Sequence, residues 1–296
     1  MPVTRELASA TIQLCQQAAQ ASLEHSNRRG NVVVLTPENA TDVIVAADLH
    51  GNRLNFARLC EVADLEHNPR RHLVMQEVCH GGPAYPDGGC MSHLLLEDVA
   101  RLSERWPERF HFLLSNHELA ELVDYPISKG RKMLNVTFRC GIQEMYGDYA
   151  DEVREAYQTY IASSPLAVRI DQGLFISHSL PERVAEEGFD ASIFERPLTR
   201  EDRISTGPLF QLVWGRDYRL SNADAFAKLV DARLLIHGHD PCPEGCRTPN
   251  NRQVILDCCG QRGAYLHLPV GEKLTQKEVL ACVHPLFAPP SVEISS

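Results

Sequence analysis

Apolar positions along the chain change their period in a regular order. Between residues 4 and 26, Leu7, Thr11, Leu14, Ala18 and Ala21 or Ser22 recur at helical spacing without an internal Pro or Gly, which predicts an amphipathic helix on the outside of the protein. Val32 to Leu35 and Val43 to Ala47 are short apolar runs split by Pro37-Glu-Asn-Ala, and both read as strands. Asn52 to Ala63 opens on an Asn cap and carries Leu54, Leu59 and Val62, so it reads as a helix. Leu73 to Glu77 is again a strand, and strand, helix, strand is the signature of α/β architecture. Cys79 to Gly89 is too rich in Gly and Pro for regular structure. Helix His93 to Arg105 and strand Phe110 to Leu114 follow, and the strand runs directly into Ser115-Asn116-His117-Glu118.

Further on, Asp151 to Ile161 reads as a helix, and Leu174 to Ser177 and Leu234 to Ile236 as apolar strands. Val254 to Asp257 and Ala264 to Leu268 alternate well enough to be closing antiparallel strands. From Lys273, a segment with Pro285, Pro289 and Pro290 and a polar end reads as a loose tail. The division expected is an N-terminal helix and strand (1–40) packed on the core, a main domain (41–272) and a C-terminal tail (273–296).

Composition narrows the class. An apolar content of 44% and a charged content of 23% describe an ordinary globular protein. A net charge of -10 argues against nucleic acid as partner, because phosphates need a basic surface. No run of about 18 apolar residues and no charged-then-apolar leader appear, so neither a membrane partner nor secretion is expected, and the cytoplasm is the expected location. In that setting the ten cysteines read as reduced thiols. Cys242 and Cys246 beside His237 and His239 have zinc-compatible spacing but lack a matching second Cys pair.

The polar residues that interrupt strand ends carry the chemistry. Asp48 and His50 stand two apart at the end of a strand, so both side chains reach the same side. One carboxylate and one imidazole suit Zn, Fe or Mn better than Ca or Mg. Glu77 ends the next strand, at the same edge as Asp48 if the two are parallel, and ligands collect outside such carboxyl ends. Asn116, His117 and Glu118 offer an amide oxygen, an imidazole and a carboxylate within one turn, and His178 and His239 each follow an apolar strand.

Taken in order, these motifs resemble the calcineurin-like metallophosphoesterases, and among them an atypical, bacterial-type member of the phosphoprotein phosphatase (Ser/Thr phosphatase-like) branch, whose pattern is G-D-x-H-G, then G-D-x-x-D-R-G, then G-N-H-E. The spacing from Gly89 through Trp106-Pro107-Glu108-Arg109-Phe110 to Asn116 matches that branch without a gap. The likeness continues in Met145-Tyr146-Gly147-Asp148-Tyr149, Gly173 to His178, Arg196-Pro197, Leu212-Val213-Trp214 and His237-Gly238-His239-Asp240, and spans residues 42 to 270. It implies two central mixed β-sheets flanked by helices, with two divalent metal ions at the strand ends, Mn foremost and Fe or Zn as alternatives. Asp48 and His50 then resemble ligands of the first ion, Glu77 the bridging carboxylate, and Asn116, His178 and His239 ligands of the second. A metal-bridging hydroxide would attack phosphorus in line, and His117 would be the general acid for the leaving oxygen.

Departures from the pattern accompany the match. Glu77 and Gln76 replace the usual Asp and Gly, and Ser115 the Gly before Asn116. The D-R-G element is interrupted: counting from Glu77 places His80 where the second Asp belongs, whereas counting back from Asn116 places Asp87 there. The gap-free register favours Asp87 as the partner of His117, with His80 as a further polar group at the pocket. Either register removes the arginine, which leaves Arg196 and Arg216 as the candidates for holding phosphate. The resemblance implies a Ser/Thr-type phosphatase acting on a phosphorylated protein or small-molecule phosphoester. A nucleotide or dinucleoside polyphosphate hydrolase on the same core, and a catalytically weak metal-binding scaffold, are the alternatives.

Overall fold

Strands that are apolar at almost every position are buried on both faces, and two stacked sheets between layers of helices achieve this. The computed structural model describes residues 4–287. Its seven-stranded sheet runs Arg28–Arg29, Val32–Leu35, Ala167–Ile170, Leu174–Ser177, Leu234–His237, Gln253–Leu256 and Cys246–Arg247. The five-stranded sheet runs Val283–Pro285, Ala264–Pro269, Asp42–Val45, Arg71–Gln76 and Phe110–Leu113. Side chains alternate between faces with period two. Val43, Val45 and Val74 therefore meet Val33, Ile176 and Ile236 between the sheets. Ile44, Leu73, Met75 and Phe175 point outward beneath the helices. The α/β sandwich with two mixed sheets is the fold expected from the sequence.

Strand direction places the site. Asp42–Val45, Arg71–Gln76 and Phe110–Leu113 are parallel neighbours, so their carboxyl ends emerge together. In the facing sheet, Leu174–Ser177 and Leu234–His237 are also parallel.

Three expectations need correction. The N-terminal helix, Arg5–Leu23, is capped by Thr4 as its sequence suggests, but Leu7 is exposed. The buried stripe is Ala8, Thr11, Cys15, Ala18 and Ala19, because small side chains let this helix lie close against Ser92–Arg105 and Ala150–Ala162. The strand Gln253–Leu256 is parallel to Leu234–His237 in the seven-stranded sheet, not an antiparallel partner of Ala264–Pro269; the latter pairs with Asp42–Val45. Lys273 onward is not all tail: Gln276–Ala281 is a helix and Val283–Pro285 a strand. Thr275 and Glu278 form a capping box that starts the helix despite the nearby prolines. Pro289, Pro290 and the polar end lie outside the described residues. Lastly, Leu134–Tyr146, Pro208–Trp214 and Leu220–Leu229 are helices that the periodicity did not delimit. No helix among the described residues is long and apolar enough to cross a membrane.

At the opposite, amino ends of the strands lies a buried histidine cluster. His72 Nδ1 is 2.9 Å from His111 Nε2, and the His25 ring is 5.0 Å from that of His111. Burial pushes the His72 imidazole from its ordinary 6.5 down to about 4 and lowers His111 and His25 as well. A depressed histidine keeps its stabilising effect above pH 6.5 and loses it as pH falls towards 4. We expect His72 alone to cost about 2 kcal/mol between pH 7 and pH 5. Urea unfolding at both pH values should show a smaller loss in His72→Leu than in the parent; equal losses would exclude this source of acid sensitivity.

Candidate metal centre

Each chemically active residue follows the end of a buried strand, where the backbone turns sharply. His50, Glu77, His80 and His239 all have left-handed backbones, with φ of 45°, 48°, 64° and 69°. For side chains with a Cβ this conformation is strained, and such strain persists where the surrounding structure holds it. The loops after the first two strands touch backbone to backbone: a Cβ on Gly51 would overlap the carbonyl of Gly81. A Cβ on Gly238 would overlap the carboxylate of Asp48. Glu118, buried on the helix Asn116–Val123, accepts the backbone N–H groups of Val78 and Cys79 at 2.9 and 2.8 Å and so fixes the turn that carries Glu77.

Glu77 lies at the centre. Its Oε1 is 2.9 Å from His50 Nε2 and 3.7 Å from His117 Nε2, while its Oε2 is 2.8 Å from His178 Nε2. Two groups of ligand atoms result, His50–Glu77–His117 and Glu77–His178–His239, and they share the carboxylate. Asn116 Oδ1 joins the second, 2.8 Å from His178 Nε2 and 3.2 Å from His239 Nδ1. Asp48 is buried beside them; its Oδ1 accepts from the backbone N–H of His239 at 3.0 Å and lies 3.9 Å from His178 Nδ1.

Proton bookkeeping shows that these residues fit cations. His178 Nδ1 is 2.9 Å from Gln76 Oε1, an acceptor, so Nδ1 carries hydrogen and Nε2 presents its lone pair. That nitrogen faces Glu77 Oε2, Asn116 Oδ1 and, at 3.1 Å, His239 Nδ1. His50 is arranged alike, with Nδ1 3.1 Å from the carbonyl of His80 and Nε2 aimed at Glu77. Converging lone pairs repel unless a cation lies among them. Without an ion a proton takes that place. Burial opposes charge on His50, yet Glu77 and Asp48 outweigh it and lift this imidazole to about 10; Glu77 likewise raises His178 against burial. Burial, with Glu77 second, raises the Asp48 carboxyl to about 7. Burial lowers His239 well below its ordinary value.

Comparison with known proteins bears on the fold. No family model matches the chain, and no curated protein matches its sequence. Among solved structures, it is similar to a protein serine/threonine phosphatase from Saccharomyces cerevisiae with similarity to human phosphatase PP5. That match has TM-score 0.66 and 13% identity, and it covers 88% of this chain and 82% of that one. A cold-active protein-tyrosine phosphatase of a psychrophile Shewanella species matches at TM-score 0.54 and 14% identity, covering 82% of this chain and 78% of that one. The chain has the fold of these phosphatases.

On this phosphatase fold, two sequence expectations fail. Asp87 is not the partner of His117: it is exposed and accepts from the N–H of Gly89 within its own loop. His80 takes the position, with Nδ1 2.7 Å from His117 Nδ1 and Nε2 2.8 Å from Glu121 Oε1. The long gap-free count pointed elsewhere because the extra residues lie after His80, where Ala84 bridges back to Cys90 and loops Asp87 outward. Arg196 does not line the cleft either. Its guanidinium forks onto Asp202 at 2.6 and 2.7 Å and reaches Asp190 at 3.0 Å, a local pairing that uses up its donors. Arg216 does line the cleft, with Nε 3.0 Å from Asp240 Oδ1.

Sequence reasoning missed Glu121 and passed over Gln76 as a mere replacement. A signal for the first was present, since His117 and Glu121 stand four apart on one helix and so share a face. Around the centre opens a cleft of about 860 Å3, with Trp214, Ile127, Leu134 and Lys129 on its walls. Cys259 also lines it, and burial, followed by Asp257, pushes this thiol up to about 12, which makes it a poor nucleophile.

Proposed function

We propose that the chain is a metal-dependent phosphoester hydrolase of the calcineurin-like kind, and specifically a Ser/Thr-type phosphoprotein phosphatase. The observation that carries this is the single carboxylate, Glu77, shared between two sets of imidazoles at the meeting point of two sheets. Such a set suits two divalent ions, with Mn foremost: His50 and Glu77, joined by Asp48 from the adjacent strand end, for one; Glu77, Asn116, His178 and His239 for the other, with His117 beside Glu77 left free for proton transfer. When bound, ions of this kind supply a water that is acidic at neutral pH and positive charge for the phosphoryl oxygens. The protein does the rest by positioning: Gln76 and the His80 carbonyl fix the tautomers of His178 and His50, so neither ring needs to turn when a substrate arrives.

The row His117–His80–Glu121 handles the leaving group. A carboxylate only accepts, so His80 donates from Nε2 to Glu121. With His80 neutral, its Nδ1 accepts from His117, whose Nε2 then faces the cleft unprotonated. One more proton on His80 reverses the middle bond and leaves His117 Nε2–H as donor. Burial keeps the His117 ring itself from charging, at about 3, so His117 passes a proton on rather than keeping it. The row can thus hand a proton to a departing alkoxide from His117 Nε2 while His80 ends neutral.

The test is hydrolysis of p-nitrophenyl phosphate by metal-stripped protein after Mn is added back. Activity should return with Mn and fail to return in Asp48→Asn. Because protons on His50 and His178 compete with the ions, the Mn concentration for half-restoration should fall as pH rises from 6 to 8. No turnover despite bound Mn would sink the hydrolase reading. A second reading, nucleotide hydrolysis, is favoured by an aromatic ring, Trp214, and a guanidinium, Arg216, that both line the cleft. Comparing nucleoside polyphosphates with phosphopeptides in the same assay separates the two.

A further inference from the structure

Three cations line the cleft, and two are already engaged: Arg53 Nε is 2.6 Å from Asp98, and Arg216 Nε is 3.0 Å from Asp240. The third, Lys129, makes no ion pair with the described residues. It sits on a small hairpin in which Ser128–Lys129 pairs antiparallel with Lys132–Met133, and the turn between them carries Gly130 at φ 62° and Arg131. Arg131 and Lys132 are exposed and, like Lys129, absent from the ion pairs of the described residues. Three unneutralised cations within four positions are conspicuous on a chain of net charge -10. Nearby surface arginines do find an acid, as Arg139 and Arg154 do with Asp124.

The hairpin is held in place. Leu134 N–H donates to the Ile127 carbonyl at 2.8 Å, Ile127 N–H donates to Asn135 Oδ1 at 2.8 Å, and Asn135 Nδ2 donates to Glu121 Oε1 at 3.0 Å. The buried Glu121 that orients His80 therefore also anchors the base of the hairpin. A fixed basic prong at the rim of an acidic protein's cleft has no structural duty of its own. An anionic substrate approaching this protein is repelled by its overall charge, and the hairpin offsets that repulsion at the mouth of the cleft.

We infer that the Ser128–Met133 hairpin selects phosphoesters that carry a second anionic group beside the scissile phosphate; on a phosphoprotein this is an acidic side chain flanking the phosphorylated residue. This rests on the phosphoester-hydrolase reading of the adjacent centre and adds the substrate class. Lys129, on the cleft wall, meets the second anion, while Arg131 and Lys132 extend the positive field outward. No bond is made or broken at the hairpin.

Two phosphoserine peptides that differ only in having Glu or Gln around the phosphoserine test it on the Mn-loaded full chain. The parent should favour the Glu peptide in kcat/KM by about five- to ten-fold at low salt, and less at high salt. Replacing Lys129, Arg131 and Lys132 together by Ala should remove the preference. Replacing all three by Glu should reverse it towards a Lys-flanked peptide, a gain that misfolding cannot imitate. Equal kcat/KM on both peptides in the parent, or a preference that survives the Ala replacements, would overturn the inference. Fluorescence anisotropy of the same labelled peptides keeps the two readings apart: hairpin-dependent binding with no turnover supports the hairpin site and overturns the hydrolase. ATP against AMP is the arm for the other source of a second anion, and a hairpin-dependent gain there alone would assign the group to a polyphosphate.

Discussion

Replacing Glu77 by glutamine is expected to lower turnover of p-nitrophenyl phosphate by about 10^3-fold, the rate equivalent of the ~3–5 kcal/mol lost when one partner leaves a buried charged cluster. Glutamine keeps the volume and one acceptor oxygen but removes the charge that His50 and His178 face at 2.9 and 2.8 Å. Metal content measured after gel filtration should fall with activity, since neither imidazole set retains a carboxylate in common. The shorter Glu77→Asp is the sharper variant, because aspartate stands at this place in the motif pattern that the sequence resembles. With φ at 48°, the backbone of residue 77 has already turned off the strand, and the longer arm spans the distance to both imidazoles. Aspartate on this backbone reaches one set at the expense of the other, so a loss of about 10–100-fold is expected rather than an improvement. Parental metal content and turnover in Glu77→Gln would remove Glu77 from the role of shared ligand.

What was legible in the sequence follows from burial. Strands covered on both faces are runs of Val, Ile and Leu, so a polar residue at the end of one stands out; Asp48, Glu77, Asn116, His178 and His239 were visible for that reason. Parallel strand direction then brings those ends together, and the structure places the other four around the carboxylate of Glu77. Contacts made across loops left no such trace. Gly81 lies against Gly51, and Cys90 returns to Ala84, through backbone geometry that no periodicity encodes, so the register of the inserted loop was chosen by counting and went to Asp87. The first helix misled differently: its larger residue, Leu7, is exposed, and its alanines are buried because close helix packing needs small side chains. Arg196 was placed by a motif alone, and the acids that neutralise it, Asp190 and Asp202, lie six residues away on either side and carry no pattern.

His80→Ala should lower kcat by about 10–100-fold with little change in KM, whereas Asp87→Ala should leave both unchanged. The contrast decides between the two registers, because only His80 touches His117. A merely structural role for His80 would also lower kcat, so the pH profile is the discriminating measurement. On the proposed function, His80 passes the proton for the leaving oxygen to His117 with Glu121 behind it, so the rate should depend on pH through this pair. Without His80 the buried His117 ring, held at about 3, has no neighbouring imidazole to take a proton from, and that dependence should be lost at a low rate. His80→Asp is the rescue: a carboxylate set directly against His117 Nδ1 favours the charged imidazolium and should restore part of the rate. Glu121→Gln should fall between the two, since the amide oxygen still accepts from His80 Nε2 but no longer favours the cation. If His80→Ala and the parent share one pH profile, the leaving group takes its proton from elsewhere in the cleft, and the His117–His80 pair has no part in that step.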